Sequence, residues 1–138
     1  MSKTFEKHGI TAEFANELID AAVAKARELK VSQCVAVVDD GGNLKAFVRM
    51  DGAPLIPIEI AQSKAYTALF GFPTHEFFNF IKGDPSLVAG IASRPRVAAF
   101  GGGYPIKVEG QIVGAIGVSG GTVEQDMQCA EAALQLVK

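Results

Sequence analysis

The chain has 138 residues, of which 49% are hydrophobic and 20% charged, and its formal net charge is −2. This length predicts one domain, residues 1–138, with a hydrophobic core of its own. The charge gives no strongly basic surface, so we expect no nucleic-acid partner and no membrane partner. The start lacks an apolar signal core, and no apolar stretch is long enough to span a bilayer, which predicts a cytoplasmic protein. The apolar content exceeds what one small monomer readily hides, which favours subunit interfaces.

Helical and alternating apolar patterns divide the chain into ten predicted elements. They are a helix over residues 12–30, strands over 33–38 and 44–50, helices over 57–70, 75–81 and 85–93, strands over 97–100, 106–108 and 111–118, and a helix over 123–137. A hairpin and a meander in this order need an antiparallel sheet, and the helices must cover its faces. The sequence therefore predicts an α+β fold in which helices flank a five-stranded antiparallel sheet.

Several predicted helices begin with residues suited to capping. Thr11 and Thr74 each precede an apolar run with helical spacing, and Asp84 stands before Pro85. Threonine and aspartate side chains accept hydrogen bonds from the first free backbone N–H groups of a helix. Proline suits the first helical position, because its missing N–H costs nothing there. The same reasoning predicts that Pro57 begins a helix.

The strand and helix at the end of the chain are joined by a distinctive turn. Residues 112–118 form a continuous apolar run, which is typical of a strand in the middle of a sheet. Residues 119–121 then form a glycine turn, and Thr122 with Gln125 has the spacing of a capping box. Such a junction directs unpaired N–H groups and the positive end of a helix dipole at one place, where a carboxylate or phosphate would be stabilised. A tight connection without a ligand explains the pattern equally well.

Two cysteines and one histidine are predicted to take no part in the chemistry. Cys34 and Cys129 have neither metal-ligand spacing nor a redox motif, so buried free thiols are expected. His8 lies in a polar arm before the first helix, and a lone exposed histidine is usually inert. Arms of this kind can nevertheless fold over a site.

Five blocks of the sequence, in the same order, resemble the GlcG/HbpS family. This family is also called DUF336 and includes the C-terminal domain of PduO-type proteins. The blocks are residues 37–44, 49–54, 60–65, 101–106 and 114–126. The resemblance implies a profilin-like three-layer α-β-α fold and homo-oligomers. It also implies a ligand, since some relatives bind haem and others are linked to cobalamin or to glycolate and diol metabolism.

His75 is the candidate ligand for the iron of the haem that the resemblance implies. A neutral imidazole can bind iron through one nitrogen while another group orients the second nitrogen. Phenylalanines close to it in the sequence are candidates for the walls of an apolar porphyrin slot: Phe72, Phe77, Phe78 and Phe80. Core packing or an oligomer contact explains these aromatic residues too, and is the commoner origin of such stripes.

A second candidate site is polar and would suit a small carboxylate or phosphate. Arg49 could grip such a ligand with two parallel hydrogen bonds. Backbone donors would come from the glycine turns, at Gly102, Gly103, Ser119, Gly120, Gly121 and Thr122. An enzyme at this site would need Asp51, Lys64 or Glu124 with a shifted pKa for proton transfer. Structural salt bridges between Arg49, Asp51 and Lys64 explain the same charges without any substrate.

The leading hypothesis is an oligomeric protein that binds a small ligand, with haem or another tetrapyrrole as that ligand. The first alternative is an enzyme that acts on a small carboxylated metabolite by acid–base chemistry. The second alternative is an accessory subunit of a metabolic complex.

Overall fold

The computed structural model describes residues 1–138, with five α-helices and four β-strands. In chain order they are α1 (Ala12–Glu28), β1 (Cys34–Asp39), β2 (Leu44–Arg49), α2 (Pro57–Ala68), α3 (Thr74–Ile81), α4 (Pro85–Ala92), β3 (Gly103–Val108), β4 (Gln111–Ser119) and α5 (Val123–Leu134), and a 3₁₀ turn, Gln135–Val137, ends the chain. No helix has the length and apolar character needed to cross a bilayer.

The sheet is antiparallel throughout and has the strand order β2-β1-β4-β3. The α+β class is confirmed, but the prediction of five strands was wrong, because residues 97–100 form no strand. Their backbone is held by α2 instead: the Ala98 N–H donates to the hydroxyl of Thr67 at 2.9 Å. That hydroxyl lies within hydrogen-bond distance of the Arg96 carbonyl as well. A helix side chain therefore satisfies the backbone that a neighbouring strand would have paired.

Helices cover both faces of the sheet and make three layers. α1 and α5 pack against each other and against one face, and α2 packs against the other. The alternation of side chains along β1 produces this division. Val35 and Val37 join the core beneath α1 and α5, whereas Ala36 and Val38 join the small clusters beneath α2.

The α2 side of the sheet is lined with very small residues, so α2 approaches closely. A side chain at Gly117 on β4 would overlap the backbone carbonyl of Ala61, and one at Gly103 on β3 would overlap that of Lys64. Both helix residues belong to α2. The backbone of α2 therefore rests directly on the strands, and its side chains are held close to the end of β4.

Most of the predicted caps are present. Thr11 accepts from the Phe14 N–H at 3.1 Å, Asp84 caps α4, and Thr122 forms a complete capping box with its partner on α5. The prediction that Thr74 caps α3 was wrong. Thr74 is the first residue of that helix, and its hydroxyl accepts instead from the N–H of Gly103 at 2.9 Å. The side chain therefore joins α3 to the start of β3.

Both cysteines are free and fully buried, as predicted. Burial raises the pKa of the Cys129 thiol to about 11, and burial also raises the pKa of Cys34. The reactive thiolate is therefore scarce at neutral pH. We expect an aromatic disulfide reagent at pH 7 to modify neither thiol in the folded protein and both after unfolding in guanidinium chloride. Rapid release of a thiol chromophore from the folded protein would contradict this expectation.

Candidate functional site

The most deeply buried charges of the chain are paired where β4 meets the two helix layers. Lys64 on α2 is 0% exposed, although the sequence indicated a position off the apolar stripe. Its ammonium donates to a carboxylate oxygen of Asp126 on α5 at 2.9 Å and to the carbonyl of Val118 at 2.8 Å. It also lies 5.0 Å from the centre of the Phe100 ring. The pair thus connects the two helix layers around the end of the strand.

Asp126 is held by three donors. Besides Lys64, its other oxygen accepts from the side-chain amide of Gln33 at 2.8 Å and from the Gly121 N–H at 3.0 Å. Burial raises the pKa of Asp126 and lowers the pKa of Lys64, and in each case the charge of the partner opposes the shift. Because every contact favours the ionised forms, the geometry fits a charged pair. None of the five main cavities is lined by either residue.

Three of the backbone donors that the glycine turns were expected to offer a ligand are used within the protein. The N–H of Gly103 donates to a threonine hydroxyl and that of Gly121 to Asp126. The N–H of Thr122 donates to the side chain of Gln125. Gly102 makes room for the lysine, since a Cβ there would lie 2.7 Å from the ammonium nitrogen. A carboxylate does occupy the region before α5, as the pattern of residues 119–122 suggested, but it belongs to the protein itself. Ser119 is buried and Gly120 half-buried at this same junction.

The remaining predicted acid–base residues do not converge on Lys64. Arg49 and Asp51 line an open groove of about 390 Å³ at the end of β2, and Lys64 is not part of it. The proposed salt bridges between these three residues are absent, because the ion pairs of the chain lie elsewhere. Glu124 is exposed in the first turn of α5. The structure therefore gathers no constellation of proton donors and acceptors around one cavity.

His75 is half-buried on α3, and its Nδ1 is enclosed without a hydrogen-bond partner. The aromatic ring next to it is that of Tyr104, at 5.9 Å between centroids. His75 lines none of the five main cavities, and the nearby phenylalanines contact one another. Phe72, Phe77 and Phe80 pack against one another, with centroids 5.5–6.4 Å apart.

A second imidazole, which the sequence indicated to be inert, lines a cavity. His8 lies at the mouth of a space of about 320 Å³ between the arm, the start of α1 and the β3–β4 hairpin. The apolar part of its lining comes from Ile10, Phe14, Val108 and Val113. The arm is fixed in place, because the Ile10 N–H donates to the Val113 carbonyl at 3.0 Å.

The imidazole of His8 is oriented by a single contact. Its Nδ1 lies 2.8 Å from the side-chain oxygen of Gln111, the first residue of β4. An amide oxygen only accepts hydrogen bonds, so the tautomer that suits this contact has its proton on Nδ1 and a free lone pair on Nε2. Nothing in the local sequence indicates this contact, because the two residues are 103 positions apart.

Comparison with known proteins decides the family. A model of the family described as haem degrading protein HbpS-like matches residues 10–135. The chain belongs to the HbpS-like family. The resemblance inferred from the five sequence blocks is thereby confirmed.

Relatives of this HbpS-like chain resemble it over almost its full length. A 15.0 kDa protein of Citrobacter freundii from the dhaT-dhaS intergenic region is 40% identical, over 97% of this chain and 96% of its own. The crystal structure of ORFY of Klebsiella pneumoniae, described as DUF336, is 37% identical with a TM-score of 0.91, over 98% of this chain and 94% of its own. The solved PduOC:haem complex is 33% identical with a TM-score of 0.86, over 94% of this chain and 96% of its own.

The HbpS-like chain offers two imidazoles toward a haem, and they fit the group to different degrees. Iron-binding histidines almost always donate their other N–H to a fixed acceptor. His8 meets this condition through Gln111 and lines a cavity of mixed polar and apolar lining. His75 has no such acceptor, because its Nδ1 is enclosed without a partner. Of the two imidazoles, His8 is therefore the one that has an acceptor for its other nitrogen.

Proposed function

We propose that this HbpS-like protein binds haem or another tetrapyrrole at the cavity beside the start of α1, with His8 as the iron ligand. The observation that carries the proposal is the contact between His8 Nδ1 and the Gln111 side-chain oxygen at 2.8 Å, beside a cavity that Ile10, Phe14, Val108 and Val113 line on its apolar side. Support comes also from the family description and from the relative that was solved with haem. His75 is the second candidate ligand.

The residues around the cavity would have distinct tasks. Gln111 would accept a hydrogen bond from Nδ1 of His8, which leaves the lone pair of Nε2 for the iron. The side chains of Ile10, Phe14 and Val113 supply apolar surface for one edge of a flat ring. A space of about 320 Å³ is at the small end for a ligand pocket, so a tetrapyrrole would remain partly exposed. When bound, the iron would supply redox or ligand-exchange chemistry.

The alternatives have less geometric support. An acid–base enzyme would have to work with Arg49, Asp51, Lys64 and Glu124, and the groove that the first two line contains neither of the others. Lys64 is in addition enclosed with Asp126, so no substrate reaches it without opening the core. An accessory role in a metabolic complex and a cytoplasmic location remain predictions from the sequence.

Titration of the purified protein with hemin, followed by absorbance, tests the proposed site. We expect saturation at a fixed stoichiometry, with a sharp Soret band. His8→Ala should raise the dissociation constant for hemin at least about tenfold and shift the Soret band, because the nitrogen that would bind the iron is lost. Gln111→Leu should raise the dissociation constant about tenfold, since the imidazole of His8 remains but loses the contact that orients it.

His75→Ala is the matched control, since it removes the other histidine of the chain. It should leave both the affinity and the Soret band unchanged. Loss of the Soret band in His75→Ala alone would show that the iron is bound by His75 on α3 instead of His8. Weak absorbance that does not saturate in the unmodified protein would contradict haem binding altogether.

A further inference from the structure

The open groove at the end of β2 carries two arginines. Its volume is about 390 Å³, and its walls come from three parts of the chain: the second half of α1, the connection to β1, and the end of β2 with the turn that follows. Arg27 lies in the last turn of α1, and Arg49 is the last residue of β2. We call this space the arginine groove. Two guanidinium groups from separate elements thus line one cavity.

Hydrogen bonds hold the backbone around the arginine groove. The Met50 N–H donates to the Gln33 carbonyl at 3.0 Å, and the Gln33 N–H donates to the Met50 sulfur at 3.4 Å. The Ala53 N–H closes the turn after β2, because it donates to the Met50 carbonyl at 3.0 Å. Gly52 in this turn lies close to the opposite wall, since a Cβ there would be 3.7 Å from the Ser32 hydroxyl oxygen. The groove is therefore formed before any ligand binds, which lowers the cost of binding.

The chain itself does not neutralise the arginines of the groove. All three ion pairs of the protein use lysines as their cations. Asp51 is the one acidic residue of the lining, and it forms no ion pair with either guanidinium. Two guanidinium groups and one carboxylate give the lining a formal charge of +1, in a chain whose net charge is −2. Such a local excess of positive charge favours an anionic ligand.

The floor of the arginine groove is apolar. Val23 belongs to the core beneath α1, and Val48 and Met50 pack against the edge of that core. All three side chains line the groove. An inorganic anion would leave them facing water, whereas the hydrocarbon part of an organic acid would cover them. A space of about 390 Å³ is at the small end for ligand pockets, so the acid must be small.

The charge of the lining selects among small organic acids. A guanidinium fork matches the two oxygens of a carboxylate. One carboxylate balances the formal charge of +1, whereas a second would be repelled by Asp51, and specificity often depends on such a repulsive group. The hydroxyl of Ser32, which also lines the groove, is a further hydrogen-bond donor for the ligand.

We propose that the arginine groove binds a small monocarboxylate with a short apolar body. Arg27 and Arg49 donate to its carboxylate, and its hydrocarbon part covers Val48 and Met50. Asp51 disfavours ligands with two negative charges. The groove shares no lining residue with the cavity proposed for haem, so this site is separate and neither proposal depends on the other.

Titration of the haem-free protein with butyrate at pH 8, followed by NMR of methyl-labelled methionine, tests this site. The chain has three methionines, and Met50 is the one that lines the groove. Its methyl signal should shift saturably and show a nuclear Overhauser effect to the hydrocarbon chain of butyrate. Butyramide, which has the same shape without the charge, should bind at least about tenfold more weakly. Succinate and inorganic phosphate, which carry close to two charges at this pH, should also bind at least about tenfold more weakly.

Substitutions at the groove separate a specific site from general attraction to positive charge. Arg27→Gln and Arg49→Gln should each raise the dissociation constant of butyrate at least about tenfold, because each removes a charged donor. Asp51→Asn should lower the dissociation constant of succinate about tenfold and change that of butyrate much less. All three side chains are exposed, so the circular dichroism spectrum should stay unchanged.

Arg94→Gln is the matched control, since Arg94 is exposed just after α4 and lies outside the groove. It should leave the affinity for butyrate unchanged, and so should His8→Ala, which removes the proposed iron ligand. A Met50 signal that does not saturate, or butyramide or phosphate binding as tightly as butyrate, would overturn the proposal. So would an affinity that neither groove arginine affects, or one that Arg94→Gln lowers as much as they do.

Discussion

Replacing Lys64 with methionine is expected to lower the free energy of unfolding by about 3–5 kcal/mol. The substitution keeps most of the volume of the side chain but removes the charge that faces Asp126. The carboxylate would then be 3% exposed and held only by the amide of Gln33 and the N–H of Gly121. Unfolding in urea, monitored by circular dichroism, measures the difference.

A double substitution separates the lost ion pair from lost packing. Lys64→Met combined with Asp126→Leu removes both charges, and replacing a buried pair by apolar residues is often nearly neutral. We expect the double variant to recover most of the stability that Lys64→Met alone loses. The amide of Gln33 then lacks its acceptor, so recovery should be incomplete. A Lys64→Met variant that loses less than about 1 kcal/mol would contradict the account of this pair as a connection between the helix layers.

The second large effect is expected for Gly117→Ala, which adds a single methyl group between β4 and α2. The new Cβ would overlap the Ala61 carbonyl oxygen and lie 2.6 Å from the Ala65 nitrogen. Both atoms belong to the backbone of α2, so the strain can be relieved only by moving the helix. We expect a loss of about 3 kcal/mol in the free energy of unfolding, at the upper end for overpacking.

Gly90→Ala makes the same chemical change where there is space. No atom lies within 4 Å of a Cβ at Gly90, which is inside α4. Alanine is favoured over glycine within a helix, so this variant should gain up to about 1 kcal/mol. If both alanine variants changed stability by the same small amount, α2 would not rest on the strands as described.

Local patterns predicted the elements well. The helical spacing after Thr11, the turn between β1 and β2, and the capping box of Thr122 depend on residues a few positions apart, so their physical causes lie within the sequence itself. The prediction of a strand over residues 97–100 was wrong because it used only the local pattern. The hydroxyl of Thr67 on α2, which that pattern does not contain, determines the hydrogen bonding of this segment.

The candidate sites depended on contacts that no local pattern contains. Lys64 and Asp126 are 62 positions apart, and each alone has the character of a solvated charge. His8 gains its orientation from Gln111, 103 positions away, and was therefore taken for an inert residue of the arm. The phenylalanines were recognised as a group, but their packing against one another is visible only in three dimensions.

The central claim is that His8 binds the iron of a tetrapyrrole, and nitrogen-15 NMR of the imidazole side chains tests it most directly. The chain has only two histidines, so the spectrum contains two imidazole systems, which His75→Ala assigns. In the free protein we expect Nδ1 of His8 to donate to the side-chain oxygen of Gln111, from which it lies 2.8 Å. One equivalent of hemin should broaden the His8 signals beyond detection while those of His75 persist. Loss of the His75 signals with sharp His8 signals, or no change in either, would contradict the claim.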